Sequence, residues 1–252
     1  MDNRSIAIFD SGVGSISLIR VLSNRLRENI IYLADRKHHP YGLKDISMLE
    51  NIISNTIDYL LRYDPKLVIV ASITPTLTVL DRIRINYPIP IFGIYIPLQK
   101  AVSVGEKITI IGTRTLINSK RLDEMIKENI TRVIFKKIDV SHIVKKIEEN
   151  VNDIEKDIKA LKIDTPLAIL ASTHLSLIKD KFQSVYNHTK FIDGIDDSVE
   201  QVISYLSNRD MFAEYSKPSL KILVSKDIKS FINIAKLYLT IDAEFEEITL
   251  PF

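Results

Sequence analysis

The 252-residue chain has no cysteine and no tryptophan. Without cysteine there can be no disulfide, no thiolate metal site and no cysteine nucleophile. Glycine is scarce, seven in all, and no G-x-G-x-x-G turn of a dinucleotide-binding unit occurs. No apolar run approaches the ~20 residues that a membrane span needs. Met1-Asp2-Asn3-Arg4 leads directly into Ile6-Ala7-Ile8-Phe9, without the apolar stretch of a signal peptide. A cytoplasmic protein with no membrane partner is therefore expected. Neither sign of charge dominates, with 34 basic against 32 acidic residues, so nothing calls for nucleic acid as a partner. The five histidines, at 38, 39, 142, 174 and 188, have no metal-ligand spacing, and no metal is expected.

What the chain does have is strand–helix alternation. The run Leu67-Val68-Ile69-Val70-Ala71 ends abruptly at Ser72-Ile73-Thr74-Pro75, and Leu167-Ala168-Ile169-Leu170-Ala171 ends at Ser172-Thr173-His174. A continuous apolar run bounded by turn residues reads as a buried parallel strand. Ligands in open α/β sheets bind just beyond the carboxyl ends of such strands. Ser72 and Ser172 are thus placed at two strand tips, and the echo between the runs predicts two pseudo-symmetric α/β domains. Each is a mostly parallel sheet flanked by helices, with a cleft between them. The first domain is drawn as residues 1–96 plus 210–252, the second as 97–209, with Asn208–Pro218 the best linker candidate.

Further strands are expected at Ile6–Phe9, Ile30–Leu33, Ile91–Ile94, within Lys107–Arg114, and at Arg132–Phe135, Phe191–Ile192, Leu220–Ser225 and Phe245–Leu250. Helices are expected over Asp45–Arg62, Thr115–Glu128, Val140–Leu161, His174–Tyr186, Ile195–Ser207 and Lys226–Leu239. Ile46, Leu49, Ile52, Ile53, Ile57 and Leu60 form a core-facing stripe on the first of these. Glu148 and Glu149 are assigned to a solvated face, and His38 and His39 to an exposed loop. Asp10-Ser11-Gly12-Val13-Gly14-Ser15 joins the first strand to a helix carrying Ile16, Ile19 and Leu22. Such a turn frees backbone N–H groups for an anion, although a plain tight turn fits as well.

Together these stretches resemble the glutamate racemase branch of the aspartate/glutamate racemase superfamily. Phe9-Asp10-Ser11-Gly12-Val13-Gly14 looks like the family's FDSGVGG turn, and Pro40-Tyr41-Gly42 like its PYG loop. Ala71-Ser72-Ile73-Thr74 aligns with ACNT, Ile111-Gly112-Thr113-Arg114 with an IGT(R) strand end, and Ala171-Ser172-Thr173-His174 with GCTH. The resemblance implies a cofactor-independent enzyme in which two cysteines flank the substrate Cα, one removing and one donating the proton. It implies catalytic positions at Ser72, Ser172, Asp10 and His174. A small carboxylate or acidic amino acid would meet Asp10, Ser11, Pro40, Tyr41, Gly42, Ile73, Thr74, Thr113, Thr173 and His174. It also implies a homodimer.

Both cysteine positions are serine here. The asparagine of ACNT is Ile73, and a glutamate of a VIEP turn falls at Ile96. A free thiol has a pKa of about 8.5, whereas a serine hydroxyl is a far weaker acid and yields no alkoxide near neutral pH without an adjacent base. The expected function is therefore a racemase-like protein, catalytically impaired or inactive, that keeps the ligand site. Ile73 and Ile96 favour natural divergence over an engineered serine pair. One alternative is an active glutamate/aspartate racemase using other bases, with His174 as one base and Asp10 orienting it. A remoter one is a Ser172–His174–Asp10 acyl-transfer enzyme, which only geometry can identify.

Overall fold

The computed structural model describes residues 1–129, 133–151 and 153–252. The chain opens with β1 (Ile6–Asp10), α1 (Ile16–Arg25), β2 (Ile30–Ala34), α2 (Ile46–Leu61) and β3 (Leu67–Val70). Two short helices, α3 (Ile73–Thr78) and α4 (Leu80–Ile83), lead to β4 (Ile91–Gly93). Next come α5 (Leu98–Val102), β5 (Lys107–Gly112), α6 (Arg114–Ile117), α7 (Lys120–Asn129) and β6 (Ile134–Asp139). They are followed by α8 (Ser141–Glu148), α9 (Glu155–Ala160), β7 (Leu167–Ala171), α10 (Thr173–Leu177), α11 (Lys179–Val185) and β8 (Lys190–Ile192). The chain closes with α12 (Ile195–Asn208), β9 (Leu220–Val224), α13 (Ile228–Tyr238) and β10 (Glu244–Glu247).

Two parallel sheets result. One has six strands in the order β10-β9-β2-β1-β3-β4, the other four in the order β6-β5-β7-β8. The core of the first, β2-β1-β3-β4, has the same connectivity as the whole of the second, which is the structural form of the sequence echo. β1, β3 and β7 are buried along their lengths, as strands covered by helices on both faces must be.

The first sheet belongs to a unit formed by Met1–Tyr95 and Ile195–Phe252, and the second to Ile96–Gly194. The second crossing thus comes at Ile195 rather than near Asp210. The reason is α12, whose apolar face (Ile195, Val199, Val202, Leu206) is buried and which packs on α1 and β4. Residues 209–219 are irregular, but they serve as a strap within the first unit. Lys66 Nζ donates to the Met211 carbonyl at 2.7 Å, Ala213 N–H to Glu28 Oε1 at 3.0 Å, and Tyr215 Oη to the Asn3 carbonyl at 2.6 Å.

On α2, Leu49, Ile52, Ile53, Ile57 and Leu60 are buried as the stripe requires, each worth about 1.5–3 kcal/mol over an exposed position. Ile46 is not part of it, at 55% exposure, because it opens the helix beside the capping residue Asp45, whose carboxylate accepts the Met48 N–H. The helix expected over Thr115–Glu128 breaks in two where Ser119 accepts the Leu122 N–H at 3.2 Å and donates to the Leu116 carbonyl at 2.8 Å. The one expected over His174–Tyr186 breaks at Ile178, and the helical stretch after Pro75 breaks at Val79. Within Val140–Leu161, α8 and α9 are separate, and Asn152 lies outside the described residues. So does Arg132, the expected start of β6, which runs on to Asp139.

Gly93, at the end of β4, is required by close approach. A Cβ there would fall 2.5 Å from Thr76 Cγ2 and 2.6 Å from Leu80 Cδ2. The absence of a side chain lets Thr76 sit against β4, where its hydroxyl accepts the Ile94 N–H at 3.3 Å and donates to the Ser72 carbonyl at 2.8 Å.

Candidate functional site

In the first unit, the register Phe9–Val70 sets Asp10 level with Ala71 and places Ser11 and Ser72 just beyond two adjacent strand tips. Asp10 is buried. Its Oδ1 accepts the Ser11 N–H at 2.7 Å, and its Oδ2 lies 2.6 Å from Ser15 Oγ. Ser15 Oγ is also 2.6 Å from the Ala71 carbonyl oxygen. Ser15 occupies the N-cap position of α1, yet its side chain does not cap the helix. Ser72 is extended, N-caps α3 through its backbone and likewise makes no side-chain cap. Among the described residues, no hydrogen bond reaches the Ser72 hydroxyl. Ile73 is buried, and Thr74 is half-buried with its carbonyl taken by Thr78 Oγ1 at 2.7 Å.

The loop after β2 is organised by Asp35, a fully buried carboxylate. It accepts His38 Nδ1 at 2.8 Å, the Tyr41 hydroxyl at 3.0 Å and the Ser225 hydroxyl at 3.3 Å. Tyr41 is therefore a support for the Pro40–Gly42 turn. Its ring is buried, its hydroxyl is committed to Asp35, and burial, with Asp35 second, pushes its ionisation well above the ordinary tyrosine range. Pro40 is exposed and Gly42 half-buried, so this turn can meet a ligand through its backbone. The two histidines of the loop are half-buried rather than exposed. His38 pairs with Asp35, and His39 Nδ1 lies 3.3 Å from Ser11 Oγ.

In the second unit, the register Gly112–Ala171 places Thr113 and Ser172 side by side at the tips of β5 and β7. Thr113 is half-buried at the N-cap of α6. Ser172, Thr173 and His174 are buried. The Ser172 hydroxyl makes no side-chain cap and, among the described residues, no other hydrogen bond. His174 Nε2 lies 2.5 Å from Glu148 Oε1, with both side chains within a tenth of full burial. Glu148 is thus no solvated residue. Its charged neighbours hide it in the sequence, but a signal is present. Val140, Ile143 and Ile147 mark a buried stripe, and Glu148 continues it at the i+8 position.

Arg114, next to Thr113, donates through Nε to Asp139 Oδ2 at 2.9 Å, and Ser141 donates to Asp139 Oδ1 from both N–H and hydroxyl. Burial raises the Asp139 carboxyl, but the bonds from Ser141 and Arg114 outweigh it and hold the group below the usual carboxylate range. Among the described residues, no group of three or more His, Asp or Glu side chains is arranged to hold a metal ion. No helix among them is long and apolar enough to cross a membrane.

The geometry thus offers two sets of strand tips, each carrying an uncommitted serine, a tight βα turn and buried polar support. A model of the Asp/Glu/Hydantoin racemase family matches residues 31–202. The chain belongs to this family. It is 30% identical over 241 residues to the glutamate racemase of Clostridium acetobutylicum, covering 90% of this chain and 94% of that one. It is 26% identical over 266 residues to the glutamate racemase of Streptococcus mutans, covering 99% and 100%. A glutamate racemase isoform from Bacillus anthracis superposes with a TM-score of 0.87 at 21% identity, covering 100% of this chain and 99% of that one. The Francisella tularensis enzyme in complex with D-glutamate gives 0.83 at 23% identity, covering 100% and 99%. These likenesses establish a glutamate-racemase-like α/β protein.

Proposed function

We propose that this racemase-family chain binds an acidic amino acid, or a related small dicarboxylate, and has lost effective two-base racemisation. One observation carries the reading. The positions that the family resemblance gives to its two catalytic cysteines are Ser72 and Ser172, and neither hydroxyl has a hydrogen-bonded base among the described residues. A serine acts as a nucleophile or base only when an adjacent group takes its proton. Racemisation needs a base on each face of Cα, and abstraction of that poorly acidic proton demands well-matched ionisation. Ile73, buried where the resemblance expects an asparagine, adds apolar surface instead of an amide. The Francisella tularensis relative holds D-glutamate in its crystal structure, which supports the ligand class.

The acyl-transfer alternative finds no support. A serine triad needs its hydroxyl on the imidazole, whereas His174 Nε2 faces Glu148 and, among the described residues, no hydrogen bond reaches the Ser172 hydroxyl. The His174–Glu148 pair does favour a second reading, α-proton exchange by one base on one face.

The test is incubation with L- and D-glutamate and L- and D-aspartate in D₂O, following the Cα–H signal by proton NMR, alongside thermal stabilisation by the same ligands. Stabilisation without exchange is the expected result. Loss of the signal with formation of the opposite enantiomer would refute the impaired reading. Loss with retained configuration would select the one-base reading, and neither exchange nor stabilisation would remove the ligand class.

A further inference from the structure

The loop that carries the Pro40–Gly42 turn has little to hold itself together. Between Asp35 and Tyr41 stand only Arg36, Lys37, His38, His39 and Pro40, so no aliphatic or phenyl side chain anchors it from within. A single 3₁₀ turn spans Arg36–His38. Its backbone bonds, from the His38 N–H to Asp35 and from the His39 N–H to Arg36, are long at 3.3 and 3.4 Å. Such short turns are weak on their own, and the order of this one has to come from elsewhere in the chain.

Ile248–Phe252 supplies it. The Ile248 N–H on the Val224 carbonyl at 2.9 Å carries the pairing of β10 with β9 one step further. Beyond it the residues alternate as in a strand. Thr249 and Pro251 are exposed. Ile248 and Leu250 are buried in the cluster that holds Phe9, Leu33 and Tyr41, and Phe252 packs against that cluster. The segment meets the loop at two consecutive residues. Lys37 Nζ donates to the Leu250 carbonyl at 3.1 Å and to the Phe252 backbone oxygen. The His38 and Phe252 rings lie 8° from parallel with centroids 5.6 Å apart, an offset stack. His38 Nδ1 is 2.8 Å from Asp35 Oδ2, the oxygen that also accepts the Tyr41 hydroxyl.

We propose that Ile248–Phe252 clasps this loop and that Phe252 is a positioning residue for the ligand site. It acts through His38. The stack fixes the plane of the imidazole on Asp35, and Asp35 fixes Tyr41 and with it the Pro40–Gly42 turn. Lys37 ties the same segment through main-chain oxygens. Ile248 and Leu250 already cover the apolar cluster, whereas Phe252 lays its ring on a polar side chain of the loop. The ligand-site part of this inference rests on the binding reading above; the clasp itself does not.

The test is amide hydrogen exchange, read by NMR on the ligand-free chain, for wild type, Phe252→Leu, Phe252→Tyr and Lys37→Met. In Phe252→Leu and Lys37→Met, exchange at the Lys37 and His38 amides is expected to speed up about 2–10-fold, the strength of an offset aromatic pair. The amides of Ile8 and Val68, in β1 and β3, should keep their wild-type rates. Phe252→Tyr retains the ring and should match wild type throughout. The His38 ring protons should lose the ring-current shift of Phe252 in Phe252→Leu and keep it in Phe252→Tyr. Equal loop rates in wild type and Phe252→Leu would overturn the clasp, as would a rise that reaches Ile8 and Val68 to the same extent. Titration with D-glutamate is the second arm, with weaker binding expected in Phe252→Leu than in wild type or Phe252→Tyr. Unchanged affinity with a loosened loop would overturn the positioning role. A wild type that binds no D-glutamate, while its loop responds as stated, would uphold the clasp and remove the ligand reading.

Discussion

The ammonium of Lys66 lies 2.6 Å from Glu28 Oε2, and both side chains are shut away from water. The approach is off the line of a hydrogen bond to that oxygen, and the lysine directs donors to the carbonyls of Asp2 and Met211 at 2.8 and 2.7 Å. Removing one member leaves the other charge buried without its counter-charge, although Glu28 keeps the Ala213 N–H and Lys66 keeps its two carbonyls. Lys66→Met is expected to destabilise the protein by about 3–5 kcal/mol in urea unfolding. Lys66→Met with Glu28→Gln should recover a large part of that loss. Equal instability of the single and double variants would show that the pair is not the cause.

Tyr41→Phe removes one donor from Asp35, whose carboxylate is fully buried. A loss of about 1–3 kcal/mol in unfolding free energy is expected, with the fold retained. Were the tyrosine a ligand contact rather than a support, affinity would fall while stability stayed unchanged.

Ser172→Cys places a thiol at the β7 tip, two residues before His174, whose Nε2 pairs with Glu148. With a reference pKa of about 8.5, a thiol supplies an appreciable thiolate fraction where serine supplies none. Deuterium exchange at the glutamate Cα is expected to rise above the buffer rate with configuration retained, as read by proton NMR in D₂O. Formation of the opposite enantiomer by this single variant would show that the first unit already holds a working base.

Tyr87 is held in its protonated form by burial and then by the Asp58 carboxylate, which push its ionisation up to about 12. The folded state binds this proton more tightly than the unfolded state. The resulting stabilisation is complete below the unfolded value of about 10 and is lost as pH rises from there toward 12. Chemical denaturation across that interval should show falling stability, and Tyr87→Phe should flatten the slope. Tyr63, also raised to about 12 with burial as the first cause, leaves a residual slope in that variant.

Gly93→Ala introduces a methyl group within 2.6 Å of Thr76 and Leu80 side-chain atoms. Overpacking of this kind costs about 1–3 kcal/mol, measurable as a lower urea midpoint. A neutral result would mean that the Thr76 side chain can withdraw without losing its bond to the Ser72 carbonyl.

The central strands β1, β3 and β7 were legible because they are short apolar runs that stop at small or acidic residues, whereas β10, expected over Phe245–Leu250, spans Glu244–Glu247 and lacks such a run. Leu167–Ala171 matches its expected span. The interior helix breaks were not, since Ser119 interrupts a helix through bonds that propensity cannot register. Ile195 could be read as a helix start but not as a change of unit, because which sheet a helix covers is decided by partners far along the chain. At the site, Asp10, Ser72, Ser172 and His174 stood out as strand-tip residues. Glu148 was hidden by its charged neighbours, and Ser15 by its resemblance to an ordinary helix cap.

The first unit is discontinuous along the chain, closing only with Ile195–Phe252, whereas the second is the single stretch Ile96–Gly194. A ribosome therefore delivers β1 to β4 long before β9, the strand that covers the outer edge of β2. During that interval β2 offers an unpaired apolar edge of the kind that recruits foreign strands. The contiguous unit can meanwhile complete its own sheet. Slowing or truncating synthesis before Leu220 should accordingly turn the nascent chain into a substrate for holdase chaperones.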